Sequence, residues 1–212
     1  MSVHGGSGAE TAGRAVVGVL LFVLPLALSF AVYRPSTRKG GAKWLEKLNQ
    51  SPLTPPSYVF SVVWTLLYLL MGAAAAVYVD GAIGPGLRSG SFGAVAFFIL
   101  GLLAFVAQLA VNYAYLHVMF VKKEIWRGQR LLYALLILLA LCILLFSATS
   151  ALGASLLLPY AAYLFYAWQL QSYLTGNNTP KDVERAVQDV EEGEEAEGAG
   201  EGERKRWTSR EP

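Results

Sequence analysis

The chain has 212 residues, enough for one ordinary domain or a small helix bundle. Hydrophobic residues make up 55% of the sequence and charged residues only 15%, whereas about a quarter of a typical soluble domain is charged. This composition excludes an ordinary soluble domain. The net charge of +2 says little by itself, and we expect no nucleic acid as a partner.

Long segments without charge predict where the chain crosses a membrane. Asp, Glu, Lys and Arg are missing from residues 15–33, 48–79, 89–121 and 131–180. About 20 apolar residues cross the hydrocarbon core, so each of the first three segments accommodates one span. The fourth would be about 75 Å long as one helix. It must therefore turn back, and SATSALGAS at 147–155 marks the turn.

We therefore predict an all-α integral membrane protein, a bundle of five transmembrane helices. The long runs lack the alternating pattern of a membrane β-barrel. The first run is longer than the apolar part of a signal peptide and no basic segment precedes it, so we expect a retained helix. The predicted spans lie at about 15–33, 57–79, 92–120, 130–148 and 154–174.

The basic residues indicate the orientation of the bundle. They concentrate in the first loop (residues 34–56) and in the loop at 121–130, while the loop near 80–91 carries a single base and the turn near 150 carries none. Five spans place both basic loops and the C-terminus on one side. The positive-inside rule makes that side cytoplasmic, with the N-terminus on the opposite side.

The sequence divides into three parts. Residues 1–14 are an N-terminal tail, 15–175 the transmembrane domain, and 176–212 an acidic, glycine-rich tail that contains DVEEGEEAEGAGEGE followed by RKRW. The tail has few bulky apolar groups, so we expect it to be disordered. The basic RKR stretch is open to two interpretations: a solvated end, or a short trafficking or partner signal.

Catalytic and metal-binding motifs are missing from the sequence. Cys142 is the single cysteine, which excludes an intramolecular disulfide and a cysteine-based metal cluster. No phosphate-binding loop, dinucleotide fingerprint, zinc spacing or Ser-His-Asp spacing occurs. A proton-coupled pump needs an ionisable group at membrane depth. His117 is the one candidate, and we interpret it as interfacial. We therefore predict no catalytic residue, no metal site and no cofactor.

Aromatic and amide side chains follow one face in each of three spans. The second span repeats Phe60, Trp64, Tyr68 and Gly72 every four positions. Equivalent faces in the third and fifth spans carry Gln108, Asn112, Tyr115 and Met119, and Tyr160, Tyr163, Ala167, Leu170 and Gln171. Two interpretations stay open. The amides could join helices by hydrogen bonds, or the three faces could enclose a pocket for a flat or apolar ligand.

Prolines precede the second span directly. Proline is tolerated in the first turn of a helix, where its missing N–H costs nothing. Pro52, Pro55 and Pro56 therefore indicate an extended approach to a helix that begins at the membrane interface. A plain helix start and a stiff loop that caps an enclosed space are both compatible with these residues.

The segment from Trp44 to Gly72 carries a specific motif. The motif consists of a Trp, a Leu four residues later, a Pro-Pro pair and the run F-x-x-V-W-T-x-L-Y-x-x-M-G. The residues that match it are Trp44, Leu48, Pro55, Pro56, Phe60, Val63, Trp64, Thr65, Leu67, Tyr68, Met71 and Gly72. QLAVNYAYLHVMF at 108–120 and the stretch from Pro159 to Ala167 add support. Across about residues 15–175 the chain resembles the TspO/MBR family, the translocator proteins once called peripheral benzodiazepine receptors.

This resemblance implies a five-helix bundle, often dimeric, whose pocket opens toward the first loop. Family members bind porphyrins, haem, sterols and synthetic drug-like ligands. Carried over by position, the implied pocket is lined by Trp64, Asn112, Tyr115, Tyr163, Ala167 and Leu170, with Phe60 and Tyr68 nearby. The first loop and its prolines form the lid. The expected partners are porphyrin or haem, sterols, the lipid bilayer and a second copy of the chain.

Several positions depart from the family pattern. The usual Lys-Pro and Trp of the first loop are replaced by Gln50, Ser51 and Leu53, and the Trp residues of the third and fifth spans by Tyr115 and Tyr163. Some bacterial members break down porphyrin with a Trp pair, of which only Trp64 is present here. The sterol-associated pattern that follows the fifth span in animal members is also missing.

Three functions are therefore considered. The leading hypothesis is a membrane protein that binds tetrapyrroles, and sterols as a second class, and contributes to their transport or metabolism. The alternatives are a porphyrin-degrading enzyme that acts through Trp64 and a membrane adaptor that acts through its tail. The expected location is a cell envelope in a bacterium, or the mitochondrial outer membrane or another endomembrane in a eukaryote.

Overall fold

The computed structural model describes residues 8–38, 41–82 and 91–208. These residues form helices throughout, joined by short connections. The helices are α1 (Gly8–Arg38), α2 (Gly41–Glu46), α3 (Ser57–Gly81), α4 (Phe92–Phe120), α5 (Ile125–Ser147), α6 (Ala151–Ser155), α7 (Leu158–Gly176) and α8 (Pro180–Thr208).

Five apolar segments cross the bundle, which confirms the predicted fold class. Four are long and apolar enough to span a membrane: Ser57–Gly81, Phe92–Phe120, Ile125–Ser147 and Ala151–Gly176. The fifth, Ala15–Ala31, is a shorter apolar stretch within α1. The fourth span begins at Ile125 rather than at 130. Ile125, Gly128 and Gln129 are buried in the first turns of this helix, which also contain the charged Arg127 and Arg130.

The predicted turn near residue 150 is present and is built by a helix cap. Ser150 has extended backbone, and its Oγ accepts a hydrogen bond from the Gly153 amide at 3.1 Å. This cap starts the short helix α6, which satisfies a backbone donor that would otherwise be unpaired. Pro159 then occupies the first turn of α7, where it removes no helical hydrogen bond.

The five spanning helices form a closed ring. Going around it, α1 packs against α3, α3 against α7, α7 against α5, α5 against α4, and α4 against α1. Aromatic residues fill the end of the ring near α6, where the rings of Tyr78 and Phe146 stack at 3.8 Å. Large aliphatic side chains such as Val106, Ile137 and Leu144 are exposed on the outside, as expected where lipid is the solvent.

Small residues in α3 allow α1 to approach closely. A Cβ atom added at Gly72 would overlap the backbone of Phe22, whose Cα and carbonyl carbon lie 2.8 Å from that position. Ala74 and Ala75 are also buried within the chain. Gly72 therefore serves the close packing of α1 on α3.

The C-terminal segment differs from the prediction of a disordered tail. It forms helix α8, and Val183, Ala186 and Val190 are buried on one face of that helix. These residues join a second hydrophobic cluster with Trp44 and Ile125, outside the main core. The tail has too little apolar surface to fold alone. Its three apolar residues at helical spacing are buried because they pack against the bundle. The cluster also places both basic loops and the tail at one end of the bundle.

A cap fixes the start of α8. The Asp182 Oδ2 accepts hydrogen bonds from the Thr179 amide at 2.8 Å and the Thr179 hydroxyl at 2.7 Å. These two bonds favour the ionised carboxylate and lower the pKa of Asp182 below its ordinary value. Pro180 follows the capping residue as the first helical residue, a common arrangement at helix starts.

Candidate ligand-binding site

A cavity of about 540 Å³ lies beneath the first loop, between α1, α3, α4 and α7. Its volume is in the range of small-molecule sites, about 300–1,000 Å³. The lining residues are Ser29, Phe30, Leu45, Glu46, Gln50, Ser51, Thr54, Pro55, Pro56, Ser57, Phe60, Ser61, Trp64, Thr65, Tyr68, Tyr115, Leu116, Met119, Phe120, Ala167, Leu170, Gln171 and Leu174.

The aromatic wall of the cavity comes from α3. Phe60, Trp64 and Tyr68 lie one turn apart and all line the space, because four residues advance a helix by slightly more than one turn. The centroid of the Trp64 ring lies 5.7 Å from that of Tyr68. Its centroid distances to Tyr160 and Tyr163, which it meets edge to face, are 6.2 and 5.8 Å. These contacts fix the indole, which leaves a rigid flat surface facing the cavity.

The opposite wall carries amide and hydroxyl groups whose hydrogen bonds are already made. The Tyr115 hydroxyl donates to Gln171 Oε1 at 3.1 Å. Gln171 Nε2 donates to the Ile125 carbonyl at 2.9 Å, which joins α7 to the start of α5. Because both side chains are engaged with the protein, this wall presents mainly apolar surface together with Ala167 and Leu170.

The first loop forms the roof of the cavity. Gln50 donates from Nε2 to the Leu45 carbonyl at 2.7 Å, and the Tyr166 hydroxyl donates to the Leu53 carbonyl at 2.7 Å. Pro55 and Pro56 line the cavity, and Pro56 has the extended backbone predicted for the approach to α3. The prolines therefore both start the helix and close the space beneath the loop.

Among the lining residues that the structure describes, charge is limited to one side chain. That residue is Glu46, at the end of α2, and none of the described lining residues is Lys, Arg or His. It lies at the roof, on the side of the loop that also carries the exposed Lys47. The deeper lining from Phe60 to Tyr68 is uncharged, so the cavity has one polar end and one apolar end.

Six of the eight predicted site residues line this cavity, and two lie behind its wall. The six are Phe60, Trp64, Tyr68, Tyr115, Ala167 and Leu170. The other two, Asn112 and Tyr163, are packed against the lining residues and do not reach the space. Whether any of the eight contacts a ligand stays a prediction.

Asn112 connects three helices behind the aromatic wall. It is fully buried, its Oδ1 accepts from the Tyr68 hydroxyl at 2.6 Å, and its Nδ2 donates to the Tyr160 hydroxyl at 3.0 Å. The amide thereby holds α3, α4 and α7 together and sets the position of Tyr68. Asn112 therefore fits the interpretation in which the amides join helices by hydrogen bonds.

Tyr163 supports the wall from α7. Its ring contacts the edges of Trp64 at 5.8 Å and Phe60 at 6.5 Å. Its hydroxyl oxygen is buried and has no hydrogen-bond partner among the described residues. Tyr163 therefore helps to hold the indole in place from behind the wall.

Several lining residues were not predicted from the sequence. Ser29 and Phe30 come from α1, whose nearly uniform apolar sequence gives no distinctive face. Ser61 and Thr65 follow the aromatic stripe by one position, and this spacing could have identified them. The Thr65 hydroxyl donates to the Ser61 carbonyl at 2.8 Å, so it is satisfied within its own helix.

The described residues offer no metal site, since no three His, Cys, Asp or Glu side chains come together in them. The cavity combines a flat indole, an apolar depth and a polar roof, features that suit a ring system with one polar edge.

Comparison with known proteins agrees with the resemblance seen in the sequence. A family model described as the TspO/MBR family matches residues 19–175, which include the whole cavity and end before α8. Protein CrtK of Rhodobacter capsulatus is 28% identical over 150 residues, covering 66% of this chain and 87% of that protein. Tryptophan-rich protein TspO of Chlorobaculum tepidum is 27% identical over 144 residues, covering 68% of this chain and 84% of that protein. The chain therefore belongs to the TspO/MBR family and is an integral multi-pass membrane protein.

Proposed function

We propose that this protein binds flat, mostly apolar ring molecules in the cavity beneath its first loop and contributes to their transport or metabolism. Tetrapyrroles such as porphyrin and haem are the leading ligand class, and sterols are the second. The observation that carries the proposal is the position of Trp64. Its indole is held by three tyrosine rings and lines a cavity of about 540 Å³.

The chemistry of the wall supports a flat ring more than a flexible chain. Aromatic pairs in offset or edge-to-face geometry contribute about 0.5–1.5 kcal/mol beyond the area that they bury. Trp64 and Phe60 offer such surfaces to a planar ligand, and Ala167 leaves room on the facing helix. A sterol would use the same apolar depth with its hydroxyl directed to the roof.

The polar groups of the lining support binding rather than reaction. The Tyr115 hydroxyl donates to Gln171, and Gln171 donates to the Ile125 carbonyl, so both groups are engaged in holding the helices together. Light- or oxidant-dependent porphyrin breakdown at Trp64 is the enzymatic alternative, and Trp64 is the residue that motivates it. Following the porphyrin absorbance during a binding experiment separates the two, because binding shifts the spectrum and breakdown abolishes it.

The experiment is an equilibrium titration of purified protein in detergent with protoporphyrin IX, with cholesterol as competitor. Trp64→Ala removes the flat surface and is expected to weaken binding about tenfold or more, since truncation of a buried Trp anchor typically costs 2 kcal/mol or above. The matched control is Trp126→Ala, because Trp126 is partly exposed on α5 and lies outside the cavity lining. Equal affinities of the two variants, both folded, would refute the assignment of the cavity.

A further inference from the structure

The first loop contacts the cavity on one side and the second hydrophobic cluster on the other, and Leu45 touches both. Leu45, Glu46 and Gln50 line the cavity, whereas Trp44 and Leu48 on the other face are 0% and 6% exposed. The buried face packs into the second hydrophobic cluster, which also contains residues of α4, α5, α7 and α8. The roof of the cavity is therefore held from outside as well as from inside.

Helix α8 supplies much of that outer support. Val183, Ala186 and Val190 lie at positions three and four apart on one helical face, and all three are buried. They belong to the same cluster as Trp44 and Leu48. The neighbouring residues Glu184, Gln188 and Asp189 are exposed, so a single narrow face of α8 makes the contact.

A pair of asparagines fastens the loop to the start of α8. The backbone N–H of Asn49 donates to Asn178 Oδ1 at 2.9 Å, and Asn178 Nδ2 donates to the backbone carbonyl of Asn49 at 3.0 Å. Asn178 Nδ2 also donates to the Leu174 carbonyl at 2.8 Å, which anchors the pair to the end of α7. Asn178 is 6% exposed, so these bonds are largely shielded from water.

We propose that α8 is a latch that holds the first loop closed over the cavity and thereby limits the rate at which ligand enters and leaves. The inference rests on the proposed function, since it concerns access to the same cavity. Docked, α8 covers Trp44 and Leu48 and keeps the roof in place. Undocked, the loop loses this apolar cover and the roof opens. Residues of α8 lie beyond the 19–175 match to the family model.

The test compares two variants that add the same charge to α8 on opposite faces. Val183→Asp places a carboxylate in the buried contact and is expected to release the helix, because one buried valine shifts such a docking equilibrium by about tenfold or more. Gln188→Asp adds the charge on the exposed face and is the matched control. Because Val183 lies outside the bundle core, the transmembrane domain is expected to fold in both variants.

Two readouts are made on the full-length protein in detergent. Hydrogen exchange at the amides of residues 44–50 reports the opening of the first loop without any ligand. Stopped-flow mixing with protoporphyrin IX reports the association and dissociation rates. We expect Val183→Asp to raise exchange at 44–50 and both rates by about tenfold, while Gln188→Asp leaves them unchanged.

The outcomes separate the latch from the proposed function. If hydrogen exchange at 180–190 shows that α8 has been released, while exchange at 44–50 and the rates match the parent protein, the latch is refuted. If the parent protein does not bind protoporphyrin IX, the ligand assignment fails, and exchange at 44–50 alone decides the latch. Faster exchange in both variants would show a non-specific charge effect and would also refute it.

Discussion

Replacing Asn112 by leucine tests whether this residue holds the wall of the cavity or contacts the ligand. The side chain is fully buried and joins the Tyr68 and Tyr160 hydroxyls through bonds of 2.6 and 3.0 Å. Leucine has similar size and cannot replace either bond. Tyr68 and Tyr160 are only 3% and 0% exposed, so each hydroxyl loses its hydrogen bond to Asn112 at a position buried from water.

The expected cost follows from those two hydroxyls. A buried polar group that loses its partner costs about 1–3 kcal/mol, and polar contacts inside membrane proteins average about 0.6 kcal/mol with values up to about 2. We therefore expect Asn112→Leu to lower the free energy of unfolding by about 2–4 kcal/mol. Porphyrin affinity, measured well below the melting temperature, is expected to change only about twofold to threefold, because Asn112 does not line the cavity.

A double-mutant cycle with Tyr68→Phe isolates the hydrogen bond. Since Tyr68→Phe already removes the donor, Asn112→Leu should cost about 1 kcal/mol less in that background. The assay is unfolding in detergent micelles followed by circular dichroism, with porphyrin binding measured on the same samples. A large loss of affinity at unchanged stability would refute this reasoning and make Asn112 a ligand contact.

Two further predictions follow from the cavity roof and from the contact of α1 with α3. Glu46→Gln should strengthen binding of protoporphyrin IX a few-fold and leave its uncharged dimethyl ester unaffected, since Glu46 is the one charged side chain among the described lining residues and its field is screened by water. Equal effects on the two ligands would argue against a carboxylate near Glu46. Gly72→Ala should lower the free energy of unfolding by about 1–3 kcal/mol, because the added Cβ overpacks against Phe22. Gly18→Ala should be neutral or stabilising in the same melting assay, because nothing lies within 4 Å of the Cβ added there.

The five-helix fold was predictable because lipid imposes simple rules. Charge-free runs of sufficient length must be helices, and the run that was too long had to turn at a polar, glycine-containing stretch. Ser150 provides that turn through its cap on Gly153. The fourth span begins five residues before the predicted start. The prediction placed the start at Arg130, the last charge before the apolar run, while a helix at the interface accommodates such charges.

The candidate site was predictable in part. Helical spacing identified Trp64, Tyr68 and Tyr115 as members of shared faces, and they do line one cavity. Spacing alone cannot separate residues in the lining from residues one layer behind it. The resemblance to the family implies that Asn112 lines the pocket, whereas in the structure Asn112 lies behind the lining. Ser29 and Phe30 were missed because α1 is apolar on every side, which leaves no pattern to read.

The tail shows a different limit of sequence analysis. Its composition predicts a segment that cannot fold alone, yet Val183, Ala186 and Val190 are buried against the bundle. The surface that covers them is formed by Trp44, Leu48 and Ile125, which are distant in sequence. Contacts of this kind depend on the tertiary arrangement and not on any local pattern.

The most direct test of the central claim, that the cavity beneath the first loop holds the ligand, is protection of a cysteine placed in its wall. Cys142 is buried, so an Ala167→Cys variant gives one reactive thiol in the lining, and Ala162→Cys gives a matched thiol on the exposed side of the same helix. At protoporphyrin IX concentrations ten times the dissociation constant, maleimide labelling of the Ala167 variant should slow about tenfold, while the Ala162 variant is unaffected. Equal labelling rates with and without saturating porphyrin at position 167 would contradict the account.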